Sequence, residues 1–336
     1  MKKILYFISD HGLGHLARSI AIIREFKKEA EFFIRNSNIN FIEQSLPNVK
    51  TFVGKTDQGP IIEDNGISID WKQSKFAIEN WYSEINSNIK NEEEIISKIK
   101  PDLIISDISP LPLAVSKKLS IPSMVISNFT WLDIFSQLSD FDLNPLRAIY
   151  ENTSLCLQLP LSTPMSVFKN KERVGFVSKK PTLTKEVVRK NLGIDESKFL
   201  IFVNLPDYFN ITISTEKNIQ VISTGAHVNI DNLIIIKPWI EGQNLVASSD
   251  LVVCKCGYNM ISECLTNNIP FHFLFDENHP EQTAMYQKLN SLGINSSIND
   301  WKSGKIRFDL HLDTLKFKPI NNENSKIKEL ILEFIK

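Results

Sequence analysis

The sequence predicts an α/β protein built from two doubly wound domains. Three observations carry that expectation. Short apolar runs that do not alternate with polar residues recur along the chain, as in parallel strands covered on both faces, and amphipathic segments separate them. The alternation starts afresh after Ser178-Lys179-Lys180-Pro181, a polar stretch that reads as a linker. A length of 336 residues suits two domains of about 150 residues each. The expected domains are residues 1–177 and 182–320, facing each other across a cleft, with a helix at 323–336 packing back on the first.

The first domain opens on the apolar run KILYFIS at 3–9, then a tight loop, Asp10-His11-Gly12-Leu13-Gly14-His15, then an amphipathic helix over 16–26. Strands are expected at 31–35 and 49–53, and a loop at 63–70. Residues 71–100 carry Phe76, Ile78, Trp81, Ile85, Ile89, Ile95, Ile96 and Ile99 at roughly helical spacing, and Pro101 stops the run. DLIISD at 102–107 reads as a buried strand ending in an acid. A helix at 111–119, a strand at 122–127, helical pieces over 130–150 and strands at 155–159 and 173–177 complete this half. In the second half a helix at 185–192 closes on Gly193, and strands are expected at 199–204, 219–223 and 233–236. Residues 250–254 form a strand that Gly257 interrupts; a helix covers 259–265. The strand 271–275 empties into DENHPEQ, and a helix over 284–292 ends at Gly293.

The net charge of −1 gives no general attraction to nucleic acid or to an anionic membrane. No apolar run approaches the ~20 residues that span a bilayer, and the N-terminus lacks the pattern of a signal peptide. The expectation is a cytoplasmic protein with Cys156, Cys254, Cys256 and Cys264 reduced. Cys254-x-Cys256 and Cys264, with His272 as the nearest fourth ligand, do not have zinc-site spacing and read as buried small hydrophobes. No metal and no cofactor are expected. Asp140-Phe141-Asp142 has the letters of a metal-binding pair but lies in an aromatic segment taken as helical.

In open α/β sheets ligands bind beyond the carboxyl ends of strands and at helix N-termini. Two stretches put polar groups there. Residues 250–282 offer the Gly257 turn, Glu263 one helical turn after Asn259, and Glu281-Gln282 beyond the next strand. The set suits a nucleotide carrying a sugar: amides for phosphate, Glu263 for ribose, Glu281 and Gln282 for sugar hydroxyls. Singly, Glu263 also reads as a solvent-facing carboxylate, Glu281-Gln282 as a first helical turn, Lys255 as a solvated lysine and Trp239 as core. In the N-terminal loop, His15 can act as a general base on an acceptor hydroxyl, with Asp107 to orient it; the plain alternative is a helix-start hydrogen bonder and an N-cap. Gly12-x-Gly14-x-x-Ala17 also matches a dinucleotide fingerprint by letters, but Arg35-Asn36 stands where an acid is required and suits at best a 2′-phosphate.

Pro238-Trp239, Asp250-Leu-Val-Val, Gly257-Tyr258-Asn259-Met-Ile-Ser-Glu263, Pro270, His279-Pro280-Glu281-Gln282 and Ala284 resemble the donor-binding half of GT-B glycosyltransferases, those related to UDP-glycosyltransferases and to the lipid II GlcNAc transferase. Asp10-His11-Gly12-Leu-Gly14-His15-x-x-Arg18 and the strand ending in Asp107 resemble the acceptor-side loops of the same superfamily. The resemblance implies an inverting, metal-independent transfer from a nucleotide-diphosphate sugar, a UDP-sugar by preference, to a hydroxyl acceptor. Trp239 and Ile240 would border the base and Glu263 the ribose. Gly257, Tyr258 and Asn259, with Lys255, would meet the diphosphate, and Glu281 and Gln282 the sugar. His15 would be the base, Asp107 its orienter, and His11, Gly12 and Gly14 the acceptor loop. The acceptor is not specified: 130–150 leaves docking of a lipid-linked or glycan acceptor at a membrane face open against simple core packing. Two departures stand out. The segment after Asn204 is short for the usual first helix of that domain, and Lys255-Cys256-Gly257 replaces a more glycine-rich turn. They keep a catalytically degenerate binding protein open beside two other readings, a nucleotide-sugar 2-epimerase and a nicotinamide enzyme.

Overall fold

The structure, a computed structural model, describes residues 1–214, 218–231, 233–236, 241–309, 317–318 and 320–336. The chain forms two compact units: Met1–Ile61 with Ile69–Val177 and Asn322–Lys336, and Ile62–Ser68 with Ser178–Asn321. Ile62–Ser68, which the sequence places as a loop of the first domain, thus belongs to the second unit.

The first unit runs β1 (Lys2–Phe7), α1 (Leu13–Glu25), β2 (Ala30–Asn36), α2 (Ile39–Ser45), β3 (Lys50–Val53), α3 (Trp71–Ser83), α4 (Ile85–Ile99), β4 (Leu103–Ser106), α5 (Leu111–Leu119), β5 (Ser123–Ser127), α6 (Trp131–Phe135), α7 (Asn144–Tyr150), β6 (Leu155–Gln158) and β7 (Lys171–Arg173). The strands pair in parallel in the order β3-β2-β1-β4-β5-β6-β7, which reverses direction between β1 and β4. The apolar runs behave as expected of strands covered on both faces: β4 and β5 are buried along their whole length. The helical run over 71–100 is interrupted at Glu84, giving two helices, and Lys100 closes the second in the left-handed region at φ 51°. The strand expected at 173–177 lies earlier, at Lys171–Arg173. Asp140 and Asp142 lie in a turn between α6 and α7 rather than in a helix. Asp140 pairs with Lys75, and Asp142 accepts from Asn144.

Arg35, at the carboxyl end of β2, is buried and spends its guanidinium inside the unit. It pairs with the buried Glu92 of α4 at 2.6 Å and donates to the carbonyl of Val53. Gly54 is required there, because a Cβ would collide with that guanidinium. Asn36 donates to the Ile8 carbonyl at 3.0 Å. Neither residue is left to read a 2′-phosphate, so the nicotinamide reading loses its only partner for that group.

The second unit runs α8 (Lys185–Asn191), β8 (Phe199–Asn204), β9 (Asn210–Ser214), β10 (Ile219–Ser223), β11 (His227–Asn229), β12 (Ile234–Ile235), α9 (Gly242–Ser248), β13 (Leu251–Lys255), α10 (Tyr258–Thr266), β14 (Phe271–Leu274), α11 (Pro280–Ser291), β15 (Ser297–Ile298) and β16 (Lys305–Asp309). Its described strands form one parallel sheet in the order β12-β10-β8-β13-β14-β15 and a smaller one, β11-β9-β16. The short connection after β8 holds β9 in place of a helix. NITIS alternates, burying Ile211 and exposing Asn210, Thr212 and Ser214. Ile211 packs with Ile201, Val203, Phe209 and Trp301 in the core of this unit. The chain then returns to the first unit as α12 (Asn324–Phe334), which buries Ile327 and Ile331 and contacts α1. Glu323, just before it, accepts from the Gly175 amide at 2.8 Å.

Truncating Glu92 leaves the Arg35 charge buried without its partner. Glu92→Ala should therefore lower the unfolding free energy of the protein by about 3–5 kcal/mol, read from urea denaturation; a loss below 1 kcal/mol would mean that the pair is solvated.

Candidate active site

The first unit gathers its chemistry where the strand order reverses. The turn after β1 carries Gly12 at φ 85°, ψ 166°, a backbone open to glycine, and hands the chain to α1. His15 and Arg18 follow, three residues apart and so on one helical face, both buried. Asp107 stands just beyond β4, fully buried, its amide donating to the Phe7 carbonyl of the neighbouring strand at 2.9 Å. Ser127 and Asn128 come from the end of β5. Three adjacent strand ends thus supply one cluster.

The cluster is fully connected. His15 Nδ1 lies 2.5 Å from Asp107 Oδ2. The other carboxylate oxygen accepts from Arg18 Nε at 2.7 Å and from Arg18 Nη2, and Arg18 Nη1 donates to Asn128 Oδ1 at 2.6 Å. A carboxylate only accepts, so the short contact assigns the ring proton to Nδ1, which donates to Asp107. Arg18 Nη2 also approaches Nδ1 at 2.9 Å, but two donors face each other there and the approach is not a hydrogen bond. The lone pair is left on Nε2, the atom a general base uses.

Aromatic rings surround this imidazole: Phe129 at 5.7 Å and Trp131 at 6.4 Å between centroids, with His11 edge-on to Trp131 at 5.2 Å. Trp131 is fixed by its Nε1, which donates to the buried Asp57 at 2.9 Å. Burial pushes the Asp57 carboxyl up. Gly59 lets the chain pass close by, since a Cβ there would lie 2.5 Å from His11 Nδ1. Sequence reasoning named His15, Asp107, His11, Gly12 and Gly14. It used Arg18 only as a motif letter and missed Asp57, Asn128 and Trp131. The His15/Arg18 spacing was the available signal for Arg18; nothing in the sequence pairs residue 57 with residue 131.

In the second unit the expected donor residues follow β13 and β14. The strand order reverses between β8 and β13. Gly257 caps α10 with an ordinary backbone, φ −119°, and among the described residues a Cβ there would meet only the Lys255 carbonyl oxygen, at 4.0 Å. Neither strain nor packing against the described residues demands a glycine there. Tyr258 and Asn259 open the helix. Asn259 Nδ2 donates to Glu263 Oε1 at 3.1 Å, and Asn259 Oδ1 is buried without a partner among the described residues. Glu263 is 1% exposed rather than solvent-facing. Burial raises its pKa to about 7 against the opposing pull of Lys179. His279 caps α11, its Nδ1 without a partner among the described residues, and burial lowers its pKa. Glu281 and Gln282 lie in the first turn of α11. Both ends of the Gln282 amide are engaged within the unit: Oε1 accepts from the Asp276 amide at 2.9 Å and Nε2 donates to the Ile67 carbonyl at 3.2 Å. Lys255 Nζ donates to the Gly66 carbonyl at 3.3 Å. Trp239 and Ile240 lie outside the described residues. The four cysteines are free and buried, and no cluster of three or more metal-ligating residues occurs among the described residues. No helix among them is long and apolar enough to cross a membrane.

The raised Glu263 pKa has a testable sign. Below pH 4.5 the group is neutral in both folded and unfolded chains. As pH rises from 4.5 to about 7 the unfolded chain releases this proton and the folded one holds it, so stability falls. Relative to Glu263→Gln, the native protein should lose up to about 3 kcal/mol over that window, measured by chemical denaturation at several pH values; a constant difference would show the carboxyl to be ionised throughout.

Residues 2–159 match the family model described as Glycosyl transferase family 1. Among curated proteins, the L-arabinokinase of Arabidopsis thaliana is 23% identical over 292 residues, covering 80% of this chain; the chain spans 28% of that protein's length. Among solved structures, a UDP-glucosyltransferase from Polygonum tinctorium aligns with TM-score 0.62 at 11% identity, covering 100% of this chain and 90% of its own. The glycosyltransferase SnogD from Streptomyces nogalater aligns with TM-score 0.59 at 12% identity over 100% of both chains. The chain therefore has the GT-B glycosyltransferase fold, and its residues 2–159 carry the sequence pattern of glycosyl transferase family 1.

Proposed function

We propose that this protein is a glycosyltransferase that moves a sugar from a nucleotide-diphosphate donor, a UDP-sugar in the first instance, to a hydroxyl acceptor with inversion. The observation that carries the reading is the 2.5 Å contact of His15 Nδ1 with the buried Asp107, which leaves Nε2 as the basic nitrogen. Nε2 takes the acceptor proton as the hydroxyl oxygen attacks the anomeric carbon. The bond from that carbon to the diphosphate breaks, and Asp107 stabilises the imidazolium that forms. The rings of Phe129 and Trp131 give the acceptor side an apolar border.

The donor reading rests on the second unit. The room that the described residues leave beside Gly257 suits close approach of a diphosphate to backbone at the start of α10, with Lys255 to offset charge, so that the transfer needs no metal. Glu263, as carboxylate, accepts from ribose hydroxyls. The buried, unpartnered Asn259 Oδ1 and His279 Nδ1 are groups of the kind that a ligand completes. Glu281 faces the donor sugar. Whether that sugar is a hexose or an N-acetylhexosamine is answered by a thermal-shift screen of UDP-sugars.

His15→Ala should lower turnover by about 10²–10⁴-fold while leaving UDP affinity, measured by calorimetry, unchanged. Turnover that survives the substitution would place the base elsewhere. Release of an epimerised sugar from UDP-GlcNAc without acceptor would replace the transferase reading by an epimerase.

A further inference from the structure

Within the second unit, the segment Ile62–Ser68 is a braced turn. Glu63 N donates to the Ser68 carbonyl at 2.9 Å and Gly66 N to the Glu63 carbonyl at 2.8 Å. Asn65 Oδ1 accepts from the amides of both Ile67, at 2.8 Å, and Ser68, at 2.9 Å. Gly66 sits at φ 70°, and a Cβ on it would lie 2.5 Å from Pro206 Cγ, just beyond β8. Its neighbour Ile67 is 1% exposed and packs into the core of this unit with Leu205 and Val253.

What this turn offers outward is two successive main-chain oxygens. The Gly66 carbonyl receives Lys255 Nζ at 3.3 Å, and the Ile67 carbonyl receives Gln282 Nε2 at 3.2 Å. An ammonium and an amide N–H are the donors that phosphate and sugar oxygens would seek. The turn meets Pro206 beyond β8 and Lys255 at the end of β13, the two strands between which the order reverses, where such sheets bind ligands. Resting on the donor reading above, we propose that the Ile62–Ser68 strap is a tethered competitor of the donor. Its two carbonyl oxygens occupy the positions of diphosphate or sugar oxygens, and a nucleotide-sugar must unseat it to reach Lys255 and Gln282. The seat is built for release. Of the seven strap residues only Ile67 is buried, the rest being half-buried or exposed, so one apolar side chain holds the strap down. The apparent affinity for the donor is then reduced by the fraction of molecules with the strap seated.

Two substitutions loosen the strap from different sides. Ile67→Ala removes the anchor. Gly66→Ala forces a Cβ against Pro206 in an unfavourable backbone region and leaves the core side chains unchanged, so it keeps the test valid should Ile67→Ala fail to fold. Calorimetry with UDP and with UDP-glucose should show the dissociation constants falling tenfold or more in the variants that retain a cooperative thermal transition. Equal or weaker binding by the variants would overturn the competitor and leave the donor reading standing, because the strap would then be a fixed wall of the site. Absence of binding by all three proteins would overturn both.

Discussion

A single buried carboxylate organises the first unit. Asp107 has no access to water, so both of its oxygens must find donors in the protein. One goes to an imidazole and the other to a guanidinium, and those two side chains sit one helical turn apart on α1. Through them the ends of β1, β4 and β5 are tied to one another, with Asn128 closing the set. A buried ionic cluster is often no better for stability than apolar residues of equal volume. What it supplies is orientation: the ring of His15 is held in one tautomer and one plane, beside the paired rings of Phe129 and Trp131.

The second unit handles polarity differently. Two of its candidate donor-side groups lean on main chain: Gln282 on Asp276 and Ile67, Lys255 on Gly66. Glu263 receives a hydrogen bond from Asn259 on its own helix and pays for its burial with a proton held to about pH 7. Two further atoms, Asn259 Oδ1 and His279 Nδ1, are buried with no described partner at all. In the first unit the His15, Arg18 and Asp107 side chains complete one another; in the second, Asn259 and His279 keep polar capacity to spare.

The elements legible in the sequence were those with strong local signals. Runs such as KILYFIS and DLIISD, bounded by a Gly loop or a Pro, declare buried strands whatever surrounds them, and the adjacency of β1 and β4 that joins His15 to Asp107 follows from the doubly wound order. What was illegible depended on partners distant in sequence. NITIS is too short and too polar to announce a strand; it becomes β9 because Ile211 has Phe209 and Trp301 to pack on. Arg35 reads as a residue for a 2′-phosphate until Glu92 arrives from a helix fifty-seven positions later. The loop at 63–70 gives no local hint that Ile67 would be buried among strands of the other unit. The Trp131 contact to Asp57 spans seventy-four positions and is equally invisible.

The way the chain is shared between the units bears on how it is made. Residues 62–68 are synthesised long before the unit they belong to, and 322–336 long after theirs. While residues 178–321 emerge, the surface of α1 that receives α12 stays uncovered, and Gly175 waits for Glu323. The strap, for its part, can seat only once β8 and β13 have formed around Ile67. Neither unit therefore completes its native set of contacts as a contiguous stretch leaving the ribosome. The first unit is completed only after Asn322–Lys336 has been made, later than the whole of the second, and a cut placed at residue 177 would yield two fragments, each lacking a piece of itself.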